Sequence, residues 1–305
     1  MGNKSSVVLD DFFIDFRRRL DDQDSLPPSS TVLYFDETSE AVQDAIFYAK
    51  LTRTSNCRPS YDKLNCPFCK EILPDGYVVQ TYGNNPLGIT GYIAVSEQKK
   101  SIYVLVRGAS SFRNKIVFGK DELVPHPFIP RARAQIGLIR AMLDIRDTIH
   151  QAVSDQIGLH PDYKVHVAGH SFGAGVGSLV TVDLYQHFPQ LNFNNLQGHL
   201  LESGKPRVGD IGYASFVADQ NINITRYVQE DDAVEIVHRP TIKKGFTHEG
   251  DEYWISSRKR MNLIVCPGPR ETRNCSNSLE YGGSMAHLSY FGIVQSCDDD
   301  LHNLI

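Results

Sequence analysis

The chain has 305 residues, of which 41% are hydrophobic and 22% are charged, and its formal net charge is −5 at pH 7. This composition is typical of a globular protein with one substantial core, and the acidic balance disfavours a nucleic-acid-binding protein. No uninterrupted apolar stretch is long enough to cross a bilayer, so the sequence predicts no transmembrane helix.

The first 40 residues are mostly polar and contain a proline-rich segment near their end. Pro27 and Pro28 precede Ser29 and Ser30 and predict a loop between an N-terminal helix and the body of the protein. We therefore expect residues 1–40 to form an N-terminal helix and linker, and residues 41–305 to form a single domain.

The middle of the chain contains segments with clear strand and helix patterns. Residues 90–95 and 101–106 are rich in β-forming side chains around the polar residues 96–100, which predicts a hairpin. Residues 138–157 place apolar side chains at helical spacing between charged ones, which predicts an amphipathic helix.

Three further segments read as strands, at residues 163–168, 196–202 and 224–228. Because predicted helices alternate with these strands, we expect a mostly parallel central sheet covered by helices, which is an α/β fold. In such sheets the catalytic groups lie at the carboxyl ends of the strands.

A G-x-S-x-G motif follows the strand at residues 163–168 and precedes a helix rich in small residues. Its members are Gly169, Ser171 and Gly173. A sharp strand-to-helix turn exposes a serine hydroxyl, and the glycines let strand and helix approach each other without a Cβ clash. Ser171 is therefore a candidate nucleophile, and the alternative is an ordinary turn with a buried serine.

A serine nucleophile needs an imidazole that takes its proton and a carboxylate that orients the imidazole. Three adjacent acids, Glu230, Asp231 and Asp232, follow the strand at residues 224–228, although such a cluster can equally be a solvated loop. The spacing does not choose among the histidines downstream, which are His238, His248, His287 and His302.

The six cysteines form an even set near the two ends of the chain. That distribution favours a disulfide framework and an oxidising compartment. Zinc is the competing interpretation, but Cys66 and Cys69 are the only C-x-x-C pair in the sequence, and a zinc ribbon needs two.

The chain also carries short signals for two different compartments. Its start, Met1-Gly2 with Ser6, fits a myristoylation pattern and indicates a cytosolic membrane face. No secretory signal is recognisable there. N-x-S/T sequences at Asn223 and Asn274 favour a secretory route instead.

Several motifs in consistent order, over roughly residues 40 to 300, resemble the fungal class 3 lipases. The resemblance is greatest to the disulfide-bonded extracellular lipases of yeasts. It implies an α/β-hydrolase fold with a nucleophile elbow and a lid. The motifs are Arg107-Gly108, the elbow at residues 169–173, the segments 204–210, 232–234 and 248–254, and Ala286-His287-Leu288-Ser289-Tyr290-Phe291-Gly292.

The resemblance assigns the nucleophile to Ser171, the carboxylate to Asp232 and the base to His287, and it makes His248 structural. It also implies an oxyanion hole built from the backbone N–H groups of Ala109 and Phe172. The implied disulfides are Cys57–Cys297, Cys66–Cys69 and Cys266–Cys275.

The chain departs from the family pattern at two places. Ala109 stands where the family has a hydroxyl residue, so the backbone donor remains and the side-chain donor is lost. Residues 110–122, where the family has its lid, mix apolar with basic side chains.

The expected function is that of a carboxylic ester hydrolase, a triacylglycerol lipase that acts through an acyl-enzyme at a lipid–water interface. It is expected to be secreted and monomeric, with no metal or cofactor. The alternatives are an esterase for soluble feruloyl or short-acyl esters and a non-catalytic binding protein with the lipase fold.

Overall fold

The structure is a computed structural model of the whole chain, and its described part comprises ten segments. These are residues 31–33, 39–57, 63–83, 87–108, 122–201, 206–229, 245–255, 263–266, 275–278 and 286–297.

A central sheet of nine strands runs through the described residues. Its strands are β1 (Thr31–Leu33), β2 (Tyr77–Tyr82), β3 (Gly91–Ser96), β4 (Ser101–Val106), β7 (Lys164–His170), β8 (Leu196–Leu201), β10 (Asn223–Gln229), β12 (Asp251–Ile255) and β13 (Leu263–Cys266). Their order across the sheet is β1-β13-β12-β10-β8-β7-β4-β3-β2. The five middle strands, from β12 to β4, are parallel, and the pairs at both edges are antiparallel. The predicted mostly parallel sheet is confirmed, and so is the hairpin, which is the β3–β4 pair.

Helices cover both faces of this sheet. They are α1 (Glu40–Thr54), α2 (Cys69–Ile72), α3 (Ile136–Leu159), α4 (Phe172–His187) and α5 (Ile211–Asp219). The predicted amphipathic helix is confirmed as α3. The Gln135 side chain begins this helix by accepting a hydrogen bond of 2.6 Å from the Leu138 N–H, which satisfies one of the free donors of the first turn.

Alternate residues of the strands build two core layers. Ile93 and Val104 pack into the layer formed with α3 and α4, whereas their neighbours Tyr92 and Tyr103 pack into the layer formed with α1. A strand with both faces buried in this way reads as a continuous apolar run rather than an alternating one. The central strands are therefore covered on both faces, and their carboxyl ends are left for a site.

Smaller elements complete the described part of the chain. The remaining strands are β5 (Leu123–Pro125), β6 (Arg133–Gln135), β9 (Gly209–Asp210), β11 (Phe246–Thr247), β14 (Ser289–Tyr290) and β15 (Ile293–Val294). A second sheet has the order β11-β9-β6-β5, and a third consists of β14 and β15. Short 3₁₀ turns lie at Ser276–Ser278 and Ala286–Leu288.

All six cysteines lie in described residues and are paired as the family resemblance implies, in Cys57–Cys297, Cys66–Cys69 and Cys266–Cys275. The first bond joins residues 240 positions apart. In the chain-entropy treatment, a loop of that length contributes about 5 kcal/mol to stability. The pairing contradicts the zinc interpretation, because no free thiolate remains to bind a metal.

The sequence prediction for the first 40 residues lies mostly outside the described part. Residues 1–30 are among those outside it, whereas Thr31–Leu33 form β1 and pair with β13 at the edge of the central sheet.

Residues 110–121 of the expected lid also lie outside the described part. Within the described residues, none of the helices combines the length and apolar character that a membrane span requires.

Candidate active site

Ser171 lies in the turn between the carboxyl end of β7 and the first residue of α4, as the sequence predicted. Its backbone angles are φ 57° and ψ −130°, a conformation that L-residues with a side chain rarely adopt. Such strain persists only where the surrounding packing enforces it, and it is concentrated at functional sites. The turn has the geometry of a nucleophile elbow.

The glycines on either side of Ser171 are required by close backbone contacts. A Cβ at Gly169 would lie 2.4 Å from the Gly173 carbonyl oxygen, and a Cβ at Gly173 would lie 2.3 Å from the carbonyl oxygen of Val106. Both distances are far below a van der Waals contact. The predicted reason for the motif is therefore confirmed, since only glycine lets β7, α4 and β4 come this close.

His287 lies in a 3₁₀ turn that packs against the elbow. The Nε2 atom of His170, the residue before Ser171, is 3.2 Å from the His287 carbonyl oxygen, and the two imidazole rings are 5.2 Å apart. The side chain of His287 is partly exposed, as a group that meets substrate must be. The fold therefore brings the segment of His287 to the residue before the nucleophile, across 117 residues of sequence.

Burial lowers the pKa of His170 to about 3, and the nearby His287 lowers it further. His170 is therefore neutral at physiological pH. Because its Nε2 atom faces a carbonyl oxygen, the proton is on Nε2 and His170 donates this hydrogen bond. The contact holds the backbone of His287 without adding a charge next to its ring.

Asp232 lies outside the described residues, but the strand that leads to it ends beside the segment of His287. The N–H of Gln229, the last residue of β10, donates to the Tyr290 hydroxyl at 3.2 Å, and the Phe291 N–H donates to Gln229 Oε1 at 3.3 Å. Tyr290 follows His287 by three residues. The carboxyl end of β10 and the His287 segment are therefore joined three residues before Asp232.

The two expected oxyanion donors belong to segments that meet at the elbow. Phe172 is buried in the first turn of α4, where the helix dipole favours negative charge. Ala109 lies outside the described residues. Gly108 before it contacts the elbow, since a Cβ there would be 3.1 Å from the His170 carbonyl oxygen and 3.7 Å from Ser171 Cβ.

His248 lies in the protein core, in a different environment. It is fully buried beside Glu249, whose Oε1 accepts a hydrogen bond of 2.5 Å from Ser178. Ser178 lies seven residues after Ser171, which is roughly 10 Å along a helix axis. His248 therefore belongs to the packing between α4 and the second sheet. Two other candidate histidines, His238 and His302, lie outside the described residues.

Sequence reasoning did not identify His170 or Gln229 as parts of the site. His170 occupies a variable position of the G-x-S-x-G motif, and Gln229 directly precedes the acidic cluster. Their closeness in sequence to the candidate residues was the only signal that could have identified them.

One group of potential metal ligands lies in the described residues, formed by Glu252, Cys266 and Cys275. Both of its sulfurs are in a disulfide, so they cannot act as thiolate ligands.

The chain is similar to known proteins in both sequence and structure. The family model for lipases of class 3 matches residues 103–241. A lipase of Rhizomucor miehei is 32% identical over 262 residues, which cover 84% of this chain and 70% of that protein.

Solved structures are similar over most of the chain. The triacylglyceride lipase of Rhizomucor miehei has a TM-score of 0.79 at 32% identity, with 86% of this chain and 98% of that chain covered. A triacylglycerol lipase whose catalytic centre is described as a serine protease triad also has a TM-score of 0.79, at 31% identity and with the same coverage.

Proposed function

The chain belongs to the class 3 lipase family, and we propose that it hydrolyses acylglycerol esters with Ser171 as nucleophile, His287 as base and Asp232 as the orienting carboxylate. Family membership makes it a serine carboxylic ester hydrolase with an α/β-hydrolase fold. The assignment of the three roles to these residues is the proposal. One observation carries it, namely that His287 lies against the residue preceding a serine whose backbone is held in the nucleophile-elbow conformation.

In the proposed reaction, the Ser171 hydroxyl attacks the ester carbonyl while the His287 imidazole takes its proton. Asp232 accepts a hydrogen bond from the other ring nitrogen and stabilises the imidazolium that forms. His287 then gives the proton to the leaving alcohol, and an acyl-enzyme remains on Ser171. In the second half of the reaction, water attacks the acyl-enzyme while His287 again acts as base. The Ser171 oxygen is then the leaving group and takes the proton back from His287.

The negative charge of each tetrahedral intermediate is proposed to be held by the backbone N–H groups of Ala109 and Phe172. Donors aimed at this oxygen lower the barrier because the charge appears only as the transition state is approached. The position of Phe172 at the beginning of α4 supports its part in this hole. Ala109 brings no side-chain hydroxyl, so the hole is expected to be weaker than one with a third donor.

The physiological substrate is proposed to be an acylglycerol presented at a lipid–water interface, and the enzyme is proposed to act as a secreted monomer. Three disulfides support passage through an oxidising compartment. A comparison of emulsified long-chain triacylglycerol with a soluble short-chain or feruloyl ester tests the substrate. Preference for the soluble ester would make the protein an esterase instead.

A fluorophosphonate probe tests the chemistry directly. It should add one phosphonyl group to the peptide that contains Ser171, and no label should appear in Ser171→Ala. Ser178, a buried serine later in the same helix, offers a matched control, because Ser178→Ala should still be labelled at Ser171. A folded wild-type protein that takes no label would instead favour a non-catalytic binding protein.

A further inference from the structure

An open groove lies at the end of the central sheet opposite the candidate active site. It has a volume of about 360 Å³ and is bounded by the loop before β8, the end of α5 and the beginnings of β10 and β12. Asn223, the first residue of β10, lies in its wall, whereas Gln229 at the other end of the strand lies beside the site. The two residues are six positions apart on an extended strand, which is a distance of roughly 20 Å.

An N-x-T sequence is formed by Asn223, Ile224 and Thr225. Because they lie in a strand, the middle side chain is on the face opposite to the other two. Ile224 is buried in the core, whereas Asn223 and Thr225 point to the other face of the strand and are both partly exposed. An oligosaccharyltransferase recognises the acceptor amide of Asn223 together with the hydroxyl of Thr225. Both groups therefore lie on the same accessible face.

The neighbourhood of Asn223 leaves its side chain available. Asn223 pairs with Gln197 of β8, but pairing with β12 begins only at Thr225, so one flank of Asn223 is open. Among the residues that the structure describes, none forms a hydrogen bond with its carboxamide. A substituent on the amide nitrogen would therefore displace no internal contact of the described structure.

The groove itself has the chemistry of a surface that holds a sugar. Phe193 is 46% exposed at its edge, and an aromatic ring with an open face packs against the C–H face of a hexose. Asn221 and Asp251 add polar groups that hydrogen-bond to hydroxyl and acetamido groups. A sugar packed against the Phe193 ring would remove its exposed apolar surface from water, while the polar groups beside it bind the sugar hydroxyls.

We propose that Asn223 is an N-glycosylation site and that the first N-acetylglucosamine of its glycan lies in this groove against Phe193. The inference rests on the secretory route proposed above. In the transfer, the Asn223 amide nitrogen attacks C1 of an oligosaccharide linked to a polyprenyl diphosphate. The C1–N bond forms, the C1–O bond to the diphosphate breaks, and the amide loses one proton. The polyprenyl diphosphate is the leaving group.

The site is tested with the full chain secreted from a yeast host, so that all variants pass through the same compartment. Peptide mass mapping after treatment with peptide-N-glycosidase in ¹⁸O water marks each occupied asparagine as a labelled aspartate. The peptide of Asn223 should be marked in the wild type and in Thr225→Ser, which keeps the acceptor sequence. It should be unmarked in Thr225→Ala and in Asn223→Gln.

The groove contact is tested by the rate of deglycosylation of the native protein. Phe193→Ala should keep the glycan but release it severalfold faster than the wild type, whereas Phe193→Tyr, which keeps the ring, should match the wild type. Equal release rates in all three proteins would overturn the contact with Phe193.

Two outcomes separate this inference from the proposed function. Further acceptor sequences at Asn3 and Asn274 lie outside the described residues, and glycans found only there would overturn the site at Asn223. An unmodified Asn223 in a protein whose Ser171 still reacts with a fluorophosphonate would also overturn it and leave the proposed function intact. All variants should keep the wild-type rate of ester hydrolysis, since the groove is at the far end of the sheet.

Discussion

His170 donates a hydrogen bond from Nε2 to the carbonyl oxygen of His287 at 3.2 Å, so the residue before the nucleophile holds the backbone of the proposed base. Burial keeps His170 neutral, with its pKa lowered to about 3. The contact joins two segments that are 117 residues apart in the sequence. It makes His170 a positioning residue, because it acts on substrate only through His287.

Removal of this contact should reduce turnover without greatly weakening substrate binding. We expect His170→Ala to lower kcat by roughly tenfold to a hundredfold with little change in KM, because a small displacement of a catalytic group costs about this much. His170→Gln, which keeps an N–H donor at a similar reach, should recover a large part of the loss. A purely structural role would lower the melting temperature of both variants and leave the kcat of the folded enzyme unchanged.

The proposed triad makes a prediction about single and combined substitutions. Ser171→Ala, His287→Ala and Asp232→Asn should each reduce ester hydrolysis by roughly 10⁴-fold or more, and double variants should be no slower than the worst single one. His248→Asn should keep kcat in whatever fraction remains folded, since His248 lies in the core. Loss of turnover in folded His248→Asn, together with an active His287→Ala, would move the base to His248.

Ala109 gives a test of the oxyanion hole. Ala109→Ser should raise kcat by roughly tenfold or more, because a hydroxyl at this position donates to the oxygen only when it carries charge. KM should change little. Ala109→Gly, which keeps the backbone N–H and adds no donor, serves as the control and should not gain activity. A KM shift without a gain in kcat would mean that position 109 contacts the bound ester in its ground state.

Buried histidines should make the protein unstable at acid pH. Burial lowers the pKa of His166 to about 3, and its Nδ1 atom lies 2.8 Å from the Tyr48 hydroxyl oxygen. The pKa in the unfolded chain is about 6.5. Because the unfolded state binds a proton that the folded state does not, this contribution is present above pH 6.5 and is lost as the pH falls from there toward 3.

The slope of stability against pH measures this effect. Each such histidine should lower the free energy of unfolding by about 1.4 kcal/mol per pH unit below pH 6, and His199, also buried and neutral, adds to the slope. Urea unfolding of His166→Gln between pH 4 and 7 should give a flatter slope by that amount, even though the variant is less stable at pH 7. An unchanged slope would mean that His166 is already protonated in the folded protein.

The disulfide framework predicts a large dependence of stability on oxidation. The native protein should contain no free thiol, and the double variant Cys57→Ser with Cys297→Ser should lose about 2 to 5 kcal/mol of stability. Thiol titration under denaturing conditions and chemical unfolding measure these two quantities. Six free thiols with an N-terminal myristoyl group on Gly2 would contradict the secretory route and place the enzyme on a cytosolic membrane face.

Local features of this protein were readable from its sequence. The turn at Ser171 follows from a strand, two glycines and a small-residue helix that are adjacent in the chain, and α3 follows from its apolar spacing. The hairpin of β3 and β4 needs only the four-residue turn at residues 97–100. Such features depend on interactions between near neighbours, so the local sequence is sufficient to specify them.

Longer-range choices were decided by the packing of the whole domain. Spacing left open the choice among the four histidines that follow the acidic cluster. Of the two that lie in described residues, His287 contacts His170 beside the nucleophile, whereas His248 is buried in the core. Likewise, β1 joins the central sheet by pairing with β13, more than 200 residues later, in a part of the chain that looked like a linker. Such contacts form between surfaces that exist only after the core has assembled. No pattern of neighbouring residues in the sequence therefore predicts them.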